Sequence, residues 1–393
     1  MASEVAFEVA KDELTSAVSW VARSLPNKPS LPVLRGMVIE ASGGQLSICG
    51  YDFEVFTHVT VNANVTAEGT VAIAGKLMAE ICANLPGDEI SFKATDSTVV
   101  VESLNSRFEL PTLSVDDYPA LPDFPEVIGT INASTFVDSV GQVAPAATRD
   151  DNLPMLTGVN MTIKGKEITL AATDRFRLAV RKLEWNPKNP EIEGNLLIPA
   201  AKLQEFTRIV DSGLDAEITL CAGSNGEIDK AGLFGVQANN RRSTTKMLDT
   251  NFPKTESLLP PTYTTVVRLT ISQLQAAIRR VSLVGGRNGA VRFDCENGVL
   301  SLSTDSHEAG SSVETIDAQL EGLPIKTAFN SVYFKDGLST MDSDSVILGF
   351  TESTRPAVMI PGDQDLPSPD ADGNFDHFDS DFIYLLMPVR LTS

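Results

Sequence analysis

The residue types that most often carry chemistry are present in this chain but do not converge. Cys49, Cys82, Cys221 and Cys295 form no Cys-x-x-Cys pair, and His58, His307 and His377 are scattered, so no His/Cys metal site is expected. Each cysteine sits beside apolar residues, which reads as a buried free thiol in a reducing compartment. The run Asp370-Ala-Asp-Gly-Asn-Phe-Asp376, with Asp381 twelve positions into it, approximates a calcium loop. Its glycine stands fourth where an EF-hand needs it sixth, and its last candidate ligand is not Glu. Seven Asp with Gly and Pro between Asp363 and Asp381 therefore read as an acidic flexible loop. No P-loop, G-x-S-x-G or H-E-x-x-H occurs, and Gly285-Gly-Arg-Asn-Gly289 is not a dinucleotide fingerprint. Asn64-Val-Thr66 fits a glycosylation sequon that would be silent in the cytosol. No catalytic residue, cofactor or metal is expected.

What remains is positive charge placed to meet phosphate. Arg279 and Arg280 lie in a helical stretch, 270–285, that has no acid, and Lys202 and Arg208 lie in another, 200–210, against Glu205. Lys11, Arg23, Lys28, Lys76 and Arg149 fall in or near other helical stretches. Contacts of this kind position a protein on nucleic acid without reading sequence; ordinary solvated helix charges fit the same facts. The chain carries 31 Lys and Arg against 52 Asp and Glu, a net charge of −21. That balance excludes a wholly basic binding surface and leaves room for a local basic lining. No apolar run approaches a membrane span, and the N-terminus lacks a signal-peptide pattern, so a cytoplasmic location is expected.

The elements that would position these charges repeat three times. Gly36 and Asp52, Gly158 and Asp174, and Gly289 and Asp305 are each sixteen residues apart, with turns at Gly43-Gly44, Lys164-Gly165 and Asn297-Gly298 between alternating apolar and polar flanks. Each is a hairpin pattern, because Gly and Asn supply the positive φ of tight turns. Upstream of each lies an i, i+3, i+4, i+7 stripe: Leu14, Ala17, Val18, Val21; Phe136, Ser139, Val140, Val143; and Leu274, Ala277, Ile278, Val281. Downstream of each lies a second helix candidate, at 75–85, 200–210 and 330–338. The spacing predicts an α+β protein of three repeated domains, each with two helices packed on antiparallel sheets. The boundaries fall in Pro-rich stretches, giving domains 1–126, 127–262 and 263–393. Units joined head to tail expose unlike ends, which close into a ring if the rotation allows.

Four segments carry a resemblance to a known family: Leu31-Pro-Val-Leu34; Ala172-Thr-Asp-Arg-Phe-Arg-Leu-Ala179; Asn251-Phe-Pro253 with Leu259-Pro260; and Tyr384-Leu-Leu-Met-Pro-Val-Arg-Leu391. In order and spacing, over the whole chain, the sequence resembles the bacterial DNA polymerase sliding clamp, the β subunit of the polymerase III holoenzyme. The resemblance implies a DNA-clamp architecture, a ring-shaped homodimer with helices inside and sheets outside. It implies a non-catalytic processivity role: encircling duplex DNA without sequence preference and tethering the replicative polymerase. Other partners it implies are a clamp-loader ATPase and further polymerases and repair proteins that dock through short linear motifs.

Site residues follow from the resemblance position by position. The DNA-facing set is Arg23, Lys28, Lys76, Arg149, Lys202, Arg208, Arg279 and Arg280. A peptide pocket between the middle and last domains is expected from Leu156, Thr173, Arg175, Phe176, Arg177, Leu178, Pro253, Leu258, Pro356, Leu386, Met387, Pro388, Val389, Arg390 and Leu391. The dimer seam is expected from Lys76, Arg107, Phe108 and Leu110 against Leu283 and Val284, with Glu308 and Glu314 nearby. Lys254-Thr-Glu-Ser257 is less basic and aromatic than the family's usual stretch, and Thr392-Ser393 extends past the usual end. An enzyme built on scattered Asp, Ser and Thr, and an acidic scaffold without DNA contact, stay open on the residues alone.

Overall fold

A computed structural model describes residues 4–210, 216–223, 228, 232–285, 289–306 and 309–389. Its six described helices are α1 (Lys11–Ser24), α2 (Gly75–Asn84), α3 (Ala133–Val143), α4 (Ala200–Phe206), α5 (Ile271–Gly285) and α6 (Ser331–Ser339). They fall in pairs, one pair to a repeat, where the apolar stripes place them. In α1 the stripe Leu14, Ala17, Val18 and Val21 is buried, and Asp12 and Glu13 sit in the first turn, where the helix dipole favours acid. Asn330 caps α6, its Oδ1 accepting from Val332 N at 2.9 Å and Tyr333 N at 3.3 Å. α4 is shorter than its sequence pattern and ends at Phe206, so Arg208 stands in the turn beyond it.

The hairpins form, with two adjustments of register. Gly43 and Gly44 have φ of 57° and 78°, and Asn297 and Gly298 have 52° and 80°. In the middle repeat Lys164 pairs with Glu167, so the turn residues are Gly165 and Lys166 rather than Lys164 and Gly165. In the third repeat the turn pairs Glu296 with Val299, equivalent to Ser42 with Gln45 in the first. That equivalence aligns Gly36 with Ala290 and Asp52 with Ser306, one residue past the Gly289 and Asp305 of the sixteen-residue pattern. Asp52 and Asp174 act alike, since each Oδ1 accepts backbone N–H groups two and three residues on. The turn they hold drives Phe53 and Arg175 to φ of 74° and 80°. Asp305 instead pairs with Arg292.

The chain divides into two compact units that do not follow the repeats. The first is Met1–Ser134, Asn186–Asn189 and Glu205–Met247; the second is Thr135–Trp185, Pro190–Gln204 and Leu248–Ser393. Each holds one nine-stranded sheet shared by two repeats. In the first unit, Val55–Asn62, the strand that follows the first hairpin, pairs antiparallel with Arg241–Lys246, the last strand of the second repeat. In the second unit, Arg177–Glu184, the strand after the second hairpin, pairs with Phe382–Leu386, the last strand of the third repeat. The register is the same at both junctions: His58 faces Arg242, and Val180, 122 residues on (180 − 58 = 122), faces Ile383.

Besides a two-stranded pairing of Thr262–Tyr263 with Phe375–Asp376, two smaller sheets remain among the described residues. The first unit has a five-stranded sheet ending at Ser106–Pro111, the last strand of repeat one; the second has a four-stranded sheet ending at Gly310–Asp317, the strand after the third hairpin. Both are edge strands.

The acidic stretch is anchored rather than a flexible loop. Asp370 Oδ1 accepts from Asp372 N at 2.9 Å and Asn374 N at 2.8 Å, and Phe375–Asp376 pairs with Thr262–Tyr263. Phe375 and Phe378 are buried in a cluster with Tyr263, Leu178 and Ile383. Two aromatic side chains, spaced three apart among the acids, decide the outcome over the surrounding charge.

Candidate nucleic-acid and partner interface

Among the expected DNA-facing residues, Arg23, Lys28, Arg149, Arg208, Arg279 and Arg280 are exposed, and Lys76 and Lys202 are half-buried. Arg280 and Lys76 make local contacts. Arg280 Nε donates to Glu314 Oε2 at 2.9 Å, a contact that holds the guanidinium charged and pulls the carboxyl below its usual range. Lys76 Nζ donates to Asn27 Oδ1. The remaining exposed cations, long side chains in water, suit weak phosphate contact.

At the second junction, Arg177 organises a buried polar network. Its Nε donates to Asp174 Oδ2 at 3.0 Å, and its Nη1 to Asp336 Oδ2 at 2.6 Å and the Tyr384 hydroxyl at 3.4 Å. Burial works against the charge, but Tyr384, Asp336 and Asp174 outweigh it and hold the guanidinium protonated above its ordinary range. Tyr384 reaches this point because α6 carries Gly337 there; a Cβ would meet the Tyr384 ring at 2.6 Å. A cavity of about 770 Å³ opens beside the network, lined by Arg149, Asp174, Arg177, Tyr333, Asp336 and Gln204 among others. Arg149, expected on DNA, thus lines the same cavity as Arg177. Asp174 as a partner of Arg177, and Tyr333 and Asp336 on α6, are additions that local sequence could not single out.

The expected peptide pocket resolves into wall and support. Phe176 is 50% exposed, Leu258 45%, Met387 37% and Val389 39%, while Pro253 and Arg175 are exposed and Pro356 and Pro388 half-buried. Met387 N donates to Phe176 O at 2.8 Å, which sets those two apolar residues side by side. Phe176 also stacks on Tyr333 with ring centroids 6.0 Å apart. Leu156, in the short helical turn Pro154–Leu156, and Leu178 and Leu386, on strand stretches buried on both faces, belong to the core behind the wall. Thr173 is structural: its Oγ1 donates to Arg177 O at 2.6 Å and accepts from Arg175 N at 3.2 Å. Arg390 and Leu391 lie outside the described residues, as does Glu308.

On the two edge strands Phe108 is 39% and Val313 68% exposed; on α5 Leu283 is 80% exposed and Val284 half-buried. Arg107 pairs with Glu102 at 2.6 Å and Glu109 at 2.8 Å. Leu110 is buried in its own sheet's core, so Phe108 is the exposed apolar group of that edge.

Family models for the DNA polymerase III beta subunit match as an N-terminal domain over 5–122, a central domain over 130–254 and a C-terminal domain over 256–367. The beta sliding clamp of Streptomyces coelicolor is 43% identical over 386 residues, covering 98% of this chain and 99% of that one. A beta sliding clamp homolog, GriR, of Streptomyces muensis is 36% identical over 98% of this chain and 99% of its own. The crystal structure of the Bacillus subtilis sliding clamp superposes with a TM-score of 0.88 at 25% identity, over 99% of this chain and 100% of that one. A Pseudomonas aeruginosa DnaN sliding clamp bound to griselimycin gives 0.88 at 23%, over 98% and 100%. No described helix is long and apolar enough to cross a membrane. With three successive domain matches and the repeated strand exchange in one chain, the protein has the three-domain sliding-clamp fold and belongs to the DNA polymerase III beta subunit family.

Proposed function

We propose that two copies of this chain close head to tail into a ring around duplex DNA and tether the replicative polymerase to its template in the cytoplasm. Strand order carries the reading. Each nine-stranded sheet is five strands of one repeat's outer half joined to four of another's hairpin half. The leftover five-stranded and four-stranded sheets are the same two halves, unjoined, with the matching strands at their edges. A second copy supplies each missing half: Gly310–Asp317 of one protomer pairs with Ser106–Pro111 of the other, completing two further sheets of nine. An exposed edge strand is a ready template for such pairing. The turn equivalences align Asn62 with Asp317 and Arg241 with Ser106. The shared junction register then sets Val313 opposite Arg107 and Glu314 opposite Ser106. Phe108 enters the seam beside Leu283 and Val284.

The ring is non-catalytic and acts by topology. A dimer carries twice −21, or −42, which opposes tight static binding to DNA. Exposed Arg23, Arg208 and Arg279 on or beside helices give local, screened attraction that leaves the protein free to slide. Lys28, Lys76, Arg149, Lys202 and Arg280 complete the proposed DNA-facing set, the last modulated by Glu314. The apolar wall of Phe176, Leu258, Met387, Pro388 and Val389 takes short linear motifs of the polymerase, the clamp loader and repair proteins. Met suits a surface that accepts several partners. Tethering there raises the local concentration of polymerase at the primer end. The test is to load the protein onto nicked circular DNA with a clamp-loading ATPase, then linearise and re-run gel filtration. Retention on circles and loss from linear DNA is expected; equal retention on both would mean that contact affinity, not enclosure, holds it.

A further inference from the structure

The turn that opens the second junction carries an arginine that the turn does not require. Asp174 Oδ1 accepts from Phe176 N at 3.0 Å and Arg177 N at 3.1 Å, which leaves Arg175 at φ of 80°, where glycine or asparagine would sit with less strain. The first junction makes the same turn with Phe53 at φ of 74°, so no guanidinium is needed to hold it. What differs between the two junctions is the surface beside the turn. Met387 N donates to Phe176 O at 2.8 Å, and Lys246 N donates to Glu54 O at 2.9 Å. Glu54 and Lys246 therefore stand at the first junction where Phe176 and Met387 stand at the second. The arginine accompanies the apolar wall.

Arg175 is exposed and its side-chain donors are unspent. The guanidinium lies over the Phe176 ring, 5.8 Å from its centroid, and that ring is itself half open to solvent. Among the described side chains Arg175 has no ion-pair or hydrogen-bond partner; its backbone N–H alone is engaged, donating to Thr173 Oγ1 at 3.2 Å. Asp150 is not a dedicated partner. It is held below its usual range first by hydrogen bonds from Asn152 N, at 3.0 Å, and Asn152 Nδ2, at 2.7 Å, and only last by the charge of Arg175. Arg177, two residues on, spends its guanidinium on Asp174, Asp336 and Tyr384. A free guanidinium presents a planar fork of donors that matches a carboxylate. On a chain of net charge −21, an acidic segment is repelled in general and admitted where such an unpaired cation faces it.

We propose that Arg175 selects partner motifs that carry an acidic side chain beside their hydrophobic residues. The hydrophobic residues cover Phe176, Leu258, Met387 and Val389, and the carboxylate takes the Arg175 fork. The inference rests on the reading of that wall as the motif site and adds what the motif must carry. A motif lying on Phe176 removes water from one side of the guanidinium, which strengthens the pair over one in open solvent. The pair stays at the rim of the wall, so it acts on discrimination and salt dependence more than on total affinity.

The test is calorimetry with C-terminally amidated peptides that end in two leucines and carry aspartate or asparagine at each of the three preceding positions in turn. Amidation removes the terminal carboxylate, so the side chain is the only acid compared. At one position the parent should prefer aspartate about threefold or more, and the preference should shrink as added salt screens it. In Arg175→Gln the aspartate and asparagine peptides should bind alike, and Arg175→Lys should restore part of the preference. Arg175→Gly also relieves the positive φ, so its melting temperature should equal or exceed the parent's while the preference is lost. Equal binding of the two peptides by the parent, or a preference that survives in Arg175→Gln, overturns the proposal. So does a lower melting temperature in Arg175→Gly, which would make Arg175 a support of the turn. Binding of the asparagine peptides to the parent, and its loss in Met387→Asp, report on the wall alone. A parent that binds neither peptide refutes the wall and this role with it, whereas a parent that binds both alike refutes only the role of Arg175.

Discussion

Phe108→Asp should break the ring, and its size can be worked from exposure. Phe108 is 39% exposed in the single chain; an aromatic side chain presents roughly 200 Å², leaving about 80 Å² for a partner to cover. At about 25 cal/mol per Å², that is about 2 kcal/mol for each seam. A closed dimer has two seams, so the loss is about 4 kcal/mol, close to a thousandfold in the dimer constant, before the buried carboxylate adds its own cost. Sedimentation equilibrium at micromolar concentration should show dimer for the parent and monomer for the variant. Register supplies an independent check. Directly opposed residues of an antiparallel pair have Cα atoms about 4.5–5.5 Å apart, within disulfide reach. Arg107→Cys with Val313→Cys should therefore cross-link two chains under oxidised glutathione. Arg107→Cys with Glu314→Cys, one residue out of register, points the two thiols to opposite faces and should not. The native thiols do not compete: burial pushes Cys49, Cys82 and Cys221 up to about 12 and Cys295 to about 11. A monomeric parent, an unchanged constant in Phe108→Asp, or cross-linking by only the off-register pair would refute the strand exchange.

Three further outcomes follow from the site geometry. Met387→Asp puts a charge on the apolar wall at an exposed position, so calorimetry with a peptide ending in hydrophobic residues should show at least about tenfold weaker binding, with the melting temperature unchanged. Arg177→Met leaves Asp174, which is buried, without its guanidinium; denaturant unfolding should lose about 3–5 kcal/mol, and Arg177→Lys should not restore the bonds to Asp174 and Asp336 together. His58 is held down to about 4 by burial and by Arg242, which donates to its Nδ1 at 3.2 Å. Its folded value lies below its unfolded one, so the unfolded chain takes the proton more readily and stability falls as pH drops from about 6.5 through about 4. The full shift would be worth about 3 kcal/mol, and screening of a half-buried ring reduces it to about 1–2 kcal/mol. His58→Gln should flatten that part of the pH profile by the same amount; an unchanged profile would show that the ring titrates normally.

What the sequence determined by itself is local. The helices form where apolar residues recur at i, i+3, i+4 and i+7, and the hairpins form where Gly and Asn permit positive φ, because both signals act within about one turn or one strand pair. The burial of all four cysteines followed from their apolar neighbours. The family resemblance of the four quoted segments extended this to fold and role. Tertiary structure decided the rest. Gly289 and Asp305 match the repeat spacing, yet strand pairing shifts the third hairpin by one, because register is set by which residues face each other. The acidic stretch is anchored by Phe375 and Phe378, whose burial against Tyr263 outweighs the local composition. Leu178 and Leu386 read as pocket wall in sequence and are buried in space, while Phe176 and Met387 are exposed. Arg177 gains its meaning from Asp336 and Tyr384, 159 and 207 residues away, and Arg280 from Glu314. The pairing of one repeat's strand with the next repeat's last strand, His58 with Arg242 across 184 residues, leaves no local trace. It fixes which two strand edges, Ser106–Pro111 and Gly310–Asp317, a single chain leaves open for pairing.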